Sequence, residues 1–179
     1  MARALVLTVI GKDRPGLVES LADLIETHEG SWDESRMARL AGHFAGVVQI
    51  HLPENQVEAF ISALPTLVNQ GLSVNVVESD WLQVNVDHRN SLQLELVGQD
   101  RPGIIREISS KLADLGVSMQ DLRTIVESAP MSGDRIFRAE VELIPPTQTD
   151  SEQIRAILEE LADEMMIDIT LKKTPQKSV

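Results

Sequence analysis

The chain contains no cysteine among its 179 residues. Without thiols it can form no disulfide, no thiolate zinc site and no redox couple. This absence suits a reducing compartment, and we therefore expect a cytoplasmic protein. The apolar run at 4–10 is cut short by Lys12 and Asp13, so it lacks the length of a secretory signal.

Aromatic and basic residues are also scarce. The sequence has three Phe, two Trp and no Tyr, so its core must be aliphatic and it offers little surface on which bases could stack. Acidic residues outnumber basic ones by 28 to 16, which gives a formal net charge of −12. Because proteins hold phosphate backbones with Lys and Arg, we expect no direct nucleic-acid partner. Any role in gene regulation would then require contact with another protein.

Long apolar stretches are missing as well, and none approaches the roughly 20 residues of a membrane-spanning helix. We therefore expect no membrane partner. What the sequence does contain is an ordinary globular balance of 42% hydrophobic and 25% charged residues. Its length suffices for two modules of about 80 residues each.

An internal repeat organises the chain. The segment 7–18, with sequence LTVIGKDRPGLV, aligns with the segment 94–105, with sequence LELVGQDRPGII. Each copy passes from an apolar strand through Asp-Arg-Pro-Gly into an amphipathic pattern, which predicts a strand, a turn and a helix. Asp is a good N-cap and Pro is tolerated in the first helical turn, so Asp13 and Asp100 are expected to begin the helices.

Each half continues with the same order of patterns. Two further strands are predicted at 31–40 and 44–52 in the first half and at 117–127 and 137–143 in the second, with hairpin turns at 41–42 and 128–134. A second helix and a last strand follow in each half. Val57, Phe60, Ile61, Leu64 and Val68 are expected to share a buried helix face, and Pro65 is expected to kink or shorten that helix.

The order β-α-β-β-α-β, found twice, is the ferredoxin-like topology. The predicted fold class is α+β, with two tandem modules, each an antiparallel four-stranded sheet that carries two helices on one face. We place the first domain at 1–79, a linker at 80–90, the second domain at 91–174 and a flexible tail at 175–179.

The duplicated Gly-x-Asp-Arg-Pro-Gly turn within this topology resembles the signature of ACT domains. A tandem pair of this length is similar to the glycine cleavage system transcriptional repressor family, whose members have no DNA-binding domain. The same turn also resembles the regulatory N-termini of phosphoserine phosphatases and formyltetrahydrofolate deformylases. The resemblance implies a non-catalytic regulator that binds an amino acid, such as glycine, and contacts a DNA-bound activator. It also implies pairing of modules through sheet edges, which includes homodimers.

The chemistry of the turn suits an α-amino acid. Free N–H groups at a helix N-terminus attract a carboxylate, and Gly16 or Gly103 lets it come close. Arg14 or Arg101 could pair with that carboxylate, and Asp13 or Asp100 with an ammonium group. The alternative is that Asp-Arg-Pro-Gly only makes a stable turn.

In ACT domains the ligand lies between this turn and the second strand of a paired module, where Trp32 could either narrow a pocket or serve interface packing. The predicted ligand-binding residues are Asp13, Arg14, Gly16, Leu17, Ser31, Trp32, Asp100, Arg101, Gly103, Ile104 and Ser118.

No catalytic or metal-binding pattern accompanies the turns. The four histidines, His28, His43, His51 and His88, lack the spacing of metal ligands, and no nucleotide-binding or nucleophile motif occurs. We therefore predict no enzyme activity, no catalytic residue, no metal and no cofactor. Two functions stay open: a sensor in the transcriptional control of glycine or one-carbon metabolism, and a detached regulatory subunit of an enzyme of amino-acid metabolism.

Overall fold

The structure is a computed structural model that describes residues 2–78, 91–129, 133–147 and 149–173. The chain divides into two compact units, Met1–Val84 and Asn85–Val179. The division falls inside the predicted linker, which lies outside the described residues, as does the predicted tail. The domain bounds given above therefore stay predictions.

The first unit contains four strands and three helices. In chain order these are β1 Ala2–Lys12, α1 Leu17–Thr27, β2 Ser31–Leu40, β3 His43–Pro53, α2 Val57–Ala63, α3 Pro65–Asn69 and β4 Leu72–Glu78, with a 3₁₀ turn at Glu54–Gln56 before α2. The β2–β3 hairpin turns at Ala41 and Gly42, as predicted, and both residues have positive φ values of 50° and 77°. Positive φ at both central positions is the geometry of the tight turns that match the twist of two antiparallel strands.

The second unit repeats this order with one helix fewer. Its elements are β5 Leu92–Gln99, α4 Ile104–Asp114, β6 Ser118–Ser128, β7 Arg135–Ile144, α5 Ser151–Met165 and β8 Ile167–Lys173. The first unit's extra helix arises from Pro65, which divides the second helical segment into α2 and α3. Part of the predicted turn between β6 and β7, at 130–132, lies outside the described residues.

Each unit has one four-stranded sheet, in the order β2-β3-β1-β4 in the first unit and β6-β7-β5-β8 in the second. The strand pairs are antiparallel. The predicted α+β fold class with two ferredoxin-like units is confirmed. In both units the first strand lies inside the sheet, next to the last strand, which places the turn after it close to the start of the last strand.

Each sheet buries one face against its helices. In β1 the buried side chains alternate, as Leu5, Leu7 and Val9, and in β5 they are Leu92, Leu94 and Leu96. These strands pack on the apolar sides of the helices and form one core per unit, mainly aliphatic but with Phe60 in the first and Phe137 in the second. The other face of each sheet carries no helix of its own unit, and we call it the open face.

The expected buried face of the second helical segment is correct for Val57, Phe60 and Leu64 but wrong for Ile61, which is 42% exposed, and for Val68. Val68 is 55% exposed, whereas Leu67 is buried. The reason lies at Pro65, which has no N–H to donate. Around it the backbone uses tight three-residue bonds, such as Leu67 N–H to Leu64 O at 3.0 Å. A turn of three residues instead of 3.6 brings Leu67, rather than Val68, under Leu64.

Candidate ligand-binding turns

Both candidate sites are turns in which a glycine, and not the predicted aspartate, caps the helix. Helix α1 begins at Leu17 with Gly16 as N-cap, and α4 begins at Ile104 with Gly103 as N-cap. Their φ values of 89° and 97° lie in the left-handed region, which favours glycine. Neither cap makes a side-chain hydrogen bond. The prediction that Asp13 and Asp100 cap these helices is wrong, because each lies three residues before the actual cap.

The two aspartates instead fasten the turn to the neighbouring hairpin. The Asp13 N–H donates to Gly42 O at 2.9 Å, and its carboxylate lies 3.1 Å from Arg39 Nε. In the second unit the Asp100 N–H donates to Arg135 O at 2.8 Å, and its carboxylate lies 3.0 Å from Arg135 Nε. Both aspartates therefore have a positioning role, because each holds the start of a helix against the tip of a hairpin.

The first glycine of each motif permits close packing against the last strand. A Cβ atom on Gly11 would lie 2.4 Å from Gly71 O, and one on Gly98 would lie 2.4 Å from Ile167 Cγ2. Real Cβ atoms do not approach other heavy atoms this closely. Thus the two glycines of Gly-x-Asp-Arg-Pro-Gly have different tasks: the first admits the neighbouring strand, and the second allows the left-handed cap.

Arg14 of the first turn lies across to the segment before β4. Its guanidinium donates to Gln70 O and, at 3.4 Å, to Pro15 O. Among residues 2–78, the part of this unit that the structure describes, no carboxylate forms an ion pair with Arg14. Carbonyl oxygens carry no net charge, so the guanidinium keeps a positive charge that a ligand carboxylate could meet.

Arg101 of the second turn has a different partner. Its two terminal nitrogens donate to the two carboxylate oxygens of Glu107, at 3.2 and 3.0 Å. This hydrogen bonding, which outweighs the small opposing effect of desolvation, lowers the pKa of Glu107 and raises that of Arg101. Both side chains are about two-fifths exposed, so the solvent screens much of the attraction.

The residues after each cap contribute backbone rather than side chains. Leu17 and Ile104 are both 3% exposed and pack into the two cores. Their side chains are therefore not accessible to a ligand, and only their main-chain N–H groups at the helix N-termini are available to an anion.

Ser31, Trp32 and Ser118 lie far from the turn of their own unit. Ser31 pairs with His51, which is opposite Ala4, whereas the turn follows Lys12 at the other end of β1. Eight residues of strand separate these ends by about 26 Å. Ser118, at the start of β6, pairs with Ile144 at the equivalent end of the second sheet. An amino acid is therefore too small to contact both groups within one unit.

The side chains at that end of the first sheet already have partners. Ser31 Oγ donates to Asp33 at 3.1 Å, and the other carboxylate oxygen of Asp33 lies against the ring of His51. Trp32 is half-buried and packs against the core of the first unit. This contact within one unit leaves both expected roles of Trp32, as a pocket wall or in interface packing, as predictions.

Sequence reasoning did not identify three residues that shape the turns. Glu19 lies in the first turn of α1, and its Oε2 would be 3.8 Å from a Cβ atom on Gly16. Gln70 provides the carbonyl that holds Arg14, and Glu107 holds Arg101. Glu107 follows Arg101 by six positions, across the start of the helix, and this spacing could have revealed the ion pair.

The histidines make local contacts. His28 and His43 approach main-chain carbonyl oxygens through Nδ1, at 2.8 Å from Leu24 O and 3.2 Å from Ala41 O respectively. His88 lies outside the described residues. Within the described ranges, no group of three or more His, Cys, Asp or Glu side chains could hold a metal ion. The helices in these same ranges are too short or too polar to cross a membrane.

Comparison with known families identifies the first unit. Residues 3–77 match the ACT domain model, which covers the unit from β1 to β4. No curated protein sequence matches the chain significantly.

Several solved structures share the fold of both units. An unknown protein from Galdieria sulphuraria is 24% identical, with a TM-score of 0.84 over 98% of this chain and 100% of the other. A protein proposed to be a glycine cleavage system transcriptional repressor is 16% identical, with a TM-score of 0.71 over 96% of this chain and 97% of the other. At these identities the likeness shows the fold. Residues 3–77 are therefore similar to ACT domains, and the chain as a whole has a fold of two tandem ferredoxin-like units.

Proposed function

We propose that this chain is a non-catalytic regulatory protein that senses an amino acid, such as glycine, and controls glycine cleavage or one-carbon metabolism by contacting a DNA-bound activator. The observation that carries the proposal is the duplicated turn. In each unit a left-handed glycine opens a helix of eleven residues beside an arginine. The predicted cytoplasmic location belongs to the same proposal.

The first turn presents opposite charges that fit a zwitterion. Helix N–H groups and the Arg14 guanidinium favour a carboxylate, while the Glu19 carboxylate lies beside Gly16 and favours an ammonium group. The turn binds the ligand without a reaction, since proton transfer and nucleophilic attack need converging groups that this turn does not supply.

A protein partner, rather than DNA, fits the charge of the chain. The net charge of −12 repels a phosphate backbone, and non-specific DNA binding comes almost entirely from Lys and Arg. The solved structure proposed to be a glycine cleavage system transcriptional repressor is 16% identical to this chain, and the likeness extends to the fold alone. The proposal of glycine cleavage or one-carbon metabolism as the target therefore rests on the family resemblance.

A thermal-shift panel with the twenty amino acids at millimolar concentration tests the sensor. A ligand present at about 100 times its dissociation constant stabilises the folded state by about 2.7 kcal/mol. We expect one or two amino acids to raise the melting temperature of the wild type. In Gly16→Val the Cβ and the strained backbone should remove this shift.

Gly133→Val is the matched control for strain. Gly133 also has a positive φ, of 74°, and a Cβ there would contact nothing within 4 Å. This variant should lose stability but retain the ligand-induced shift. If no amino acid stabilises the wild type, or if both variants retain the shift, the sensor proposal is wrong.

Affinity purification of the tagged full chain tests the partner. Specific recovery of a DNA-binding activator, with a complex that changes when the amino acid is added, would support the proposal. Recovery of a metabolic enzyme instead would favour the detached regulatory subunit. A gel shift of promoter DNA by the purified chain alone would contradict contact through a protein.

A further inference from the structure

We infer that the second turn is closed by the chain's own Glu107 carboxylate, so that one amino acid binds per chain, at the first turn. This inference rests on the proposed sensor function and specifies which of the two turns performs it.

Ser20 and Glu107 occupy the same position in the two units. Each lies four residues after the left-handed glycine, and each donates its main-chain N–H to that glycine's oxygen, at 2.9 Å for Ser20 and 3.0 Å for Glu107. The two side chains therefore leave the helices at equivalent places. The two turns therefore share a backbone position at which the side chain is serine in one and glutamate in the other.

The Glu107 side chain places a carboxylate where a ligand carboxylate would bind. Both of its oxygens accept hydrogen bonds from Arg101, at 3.2 and 3.0 Å. Glutamate oxygens lie near both cap glycines, since Glu107 Oε1 would be 3.4 Å from a Cβ atom on Gly103 and Glu19 Oε2 would be 3.8 Å from one on Gly16. The pairing with arginine is therefore what distinguishes the second turn. A second carboxylate would have to compete with it for this forked face of the guanidinium, because the two terminal N–H groups on that face already donate to Glu107.

Ser20 brings no carboxylate to Arg14 of the first turn. Its hydroxyl donates back to Gly16 O at 2.9 Å and brings no charge to the site. Arg14 is held by carbonyl oxygens, and among the described residues of its unit no carboxylate pairs with it. The preceding residue also differs, since Glu19 in the first unit corresponds to Arg106 in the second. Each turn has an arginine and a glutamate, but among the described residues only those of the second turn are paired with each other, which leaves Arg14 available to a ligand carboxylate and Glu19 to an ammonium group.

A reciprocal exchange tests the assignment in the full-length chain. Ser20→Glu brings a carboxylate to the first turn, and Glu107→Gln removes it from the second. The panel of twenty amino acids is run on the wild type and both variants, and any amino acid that stabilises one of them is then titrated by calorimetry. We expect one site in the wild type, none in Ser20→Glu, and two in Glu107→Gln. Ser20→Ala is the control, which should keep its one site.

The outcomes separate the inference from the function on which it rests. Two sites in the wild type would overturn the closed second turn and leave the sensor function intact. One site that survives Ser20→Glu but is lost in Arg101→Gln would place binding at the second turn, which also overturns the inference. Absence of binding in all four proteins would remove the sensor function and the inference together.

A ligand-free measurement tests the closing contact itself. The pH titration of the Glu107 side-chain carboxyl, followed by carbon NMR, should have its midpoint below that of an ordinary glutamate in the wild type. In Arg101→Gln the midpoint should rise, because the hydrogen-bond partner is lost. Equal midpoints in the two proteins would show that Arg101 does not hold the carboxylate, and the inference would fail even if an amino acid binds.

Discussion

The open faces of the two sheets differ far more than their buried faces. On the first sheet the open face includes Ile10, Val47 and Val77, which are 49%, 48% and 63% exposed. On the second sheet Glu95 and Glu140 lie directly opposite each other on adjacent strands. Beside them a shallow pocket of about 150 Å³ has a polar lining, formed by Gln93, Asp121, Arg123, Glu140 and Glu142.

This difference shows which face of each strand the fold constrains. Thr8 and Val47 pair across β1 and β3, and the equivalent pair across β5 and β7 is Glu95 with Glu140. The residues between them, such as Leu7 and Leu94, are fully buried in both units. Burial against the helices demands apolar side chains at alternate positions, whereas the open face accepts either chemistry. Duplication has therefore kept one face and allowed the other to diverge.

The largest expected effect comes from the cores. Phe60 is fully buried and meets the His28 ring edge-on at a centroid distance of 5.6 Å. Phe60→Ala should destabilise the first unit by about 3–5 kcal/mol, because it removes a buried ring and leaves a cavity. Hydrogen exchange read by mass spectrometry should show faster exchange in the first unit, with the second unit unchanged.

Leu158→Ala is the counterpart in the second core, where Leu158 is 1% exposed. It should accelerate exchange in the second unit alone, at a cost of about 2–5 kcal/mol. Faster exchange throughout the chain in either variant would mean that the two cores unfold as one, which would contradict their independence.

The motif glycines should produce the next largest effect. Gly11→Ala should cost about 1–3 kcal/mol, since the new Cβ meets the main-chain oxygen of Gly71, which cannot move aside alone. Gly98→Ala should cost less because its nearest obstacle is the Ile167 side chain. Urea denaturation curves provide the two free energies of unfolding.

A double-mutant cycle sharpens this contrast. Ile167→Ala shortens the side chain that the Gly98→Ala methyl would meet, so the pair should lose less stability than the two single changes added together. Additive losses would show that Ile167 is not the obstacle.

A smaller effect is expected where the last strand begins. Gly71 and Met166 each precede that strand with positive φ, of 80° and 53°. Met166 is 88% exposed and packs little, so Met166→Gly should raise stability by about 0.5–1 kcal/mol through relief of the left-handed backbone. Thermal unfolding measures the gain. Met166→Ala retains a Cβ at this φ, and an equal gain in that variant would refute the explanation.

The smallest effect belongs to the Arg101–Glu107 pair. Hydrogen bonding to Arg101 lowers the pKa of folded Glu107, so its stabilising contribution is present above the pKa of the unfolded chain and is lost as the pH falls through the folded pKa. The wild type should therefore exceed Glu107→Gln in stability at neutral pH, and the difference should vanish in acid. Denaturation midpoints of the wild type and Glu107→Gln, measured from neutral to acid pH, give this difference in stability.

Arg101→Gln should abolish this pH dependence, because it removes the hydrogen-bond donor. If the difference between the wild type and Glu107→Gln persists when Arg101 is absent, another group must stabilise the carboxylate.

Much of the fold could be predicted because its signals are local and repeated. Alternation in β3 and β7, the 3.6-residue pattern of α1 and α4, and the glycine in the hairpin at 41–42 each act within a few residues. The wrong prediction for Val68 also has a local cause, which is Pro65. Pro65 changes the number of residues per turn, and a periodic pattern drawn through it assigns the wrong side chain to the core.

The sequence by itself determined the two-unit organisation, the strand and helix order, and the position of the two turns, since these depend on short-range propensity and on burial that recurs with a fixed period. Only the tertiary structure decided what the turns contact. Asp13 meets Arg39 and Arg14 meets Gln70 because the hairpin and the last strand return to the same end of the sheet. Contacts between side chains far apart in sequence depend on that return of the chain, which no local pattern encodes.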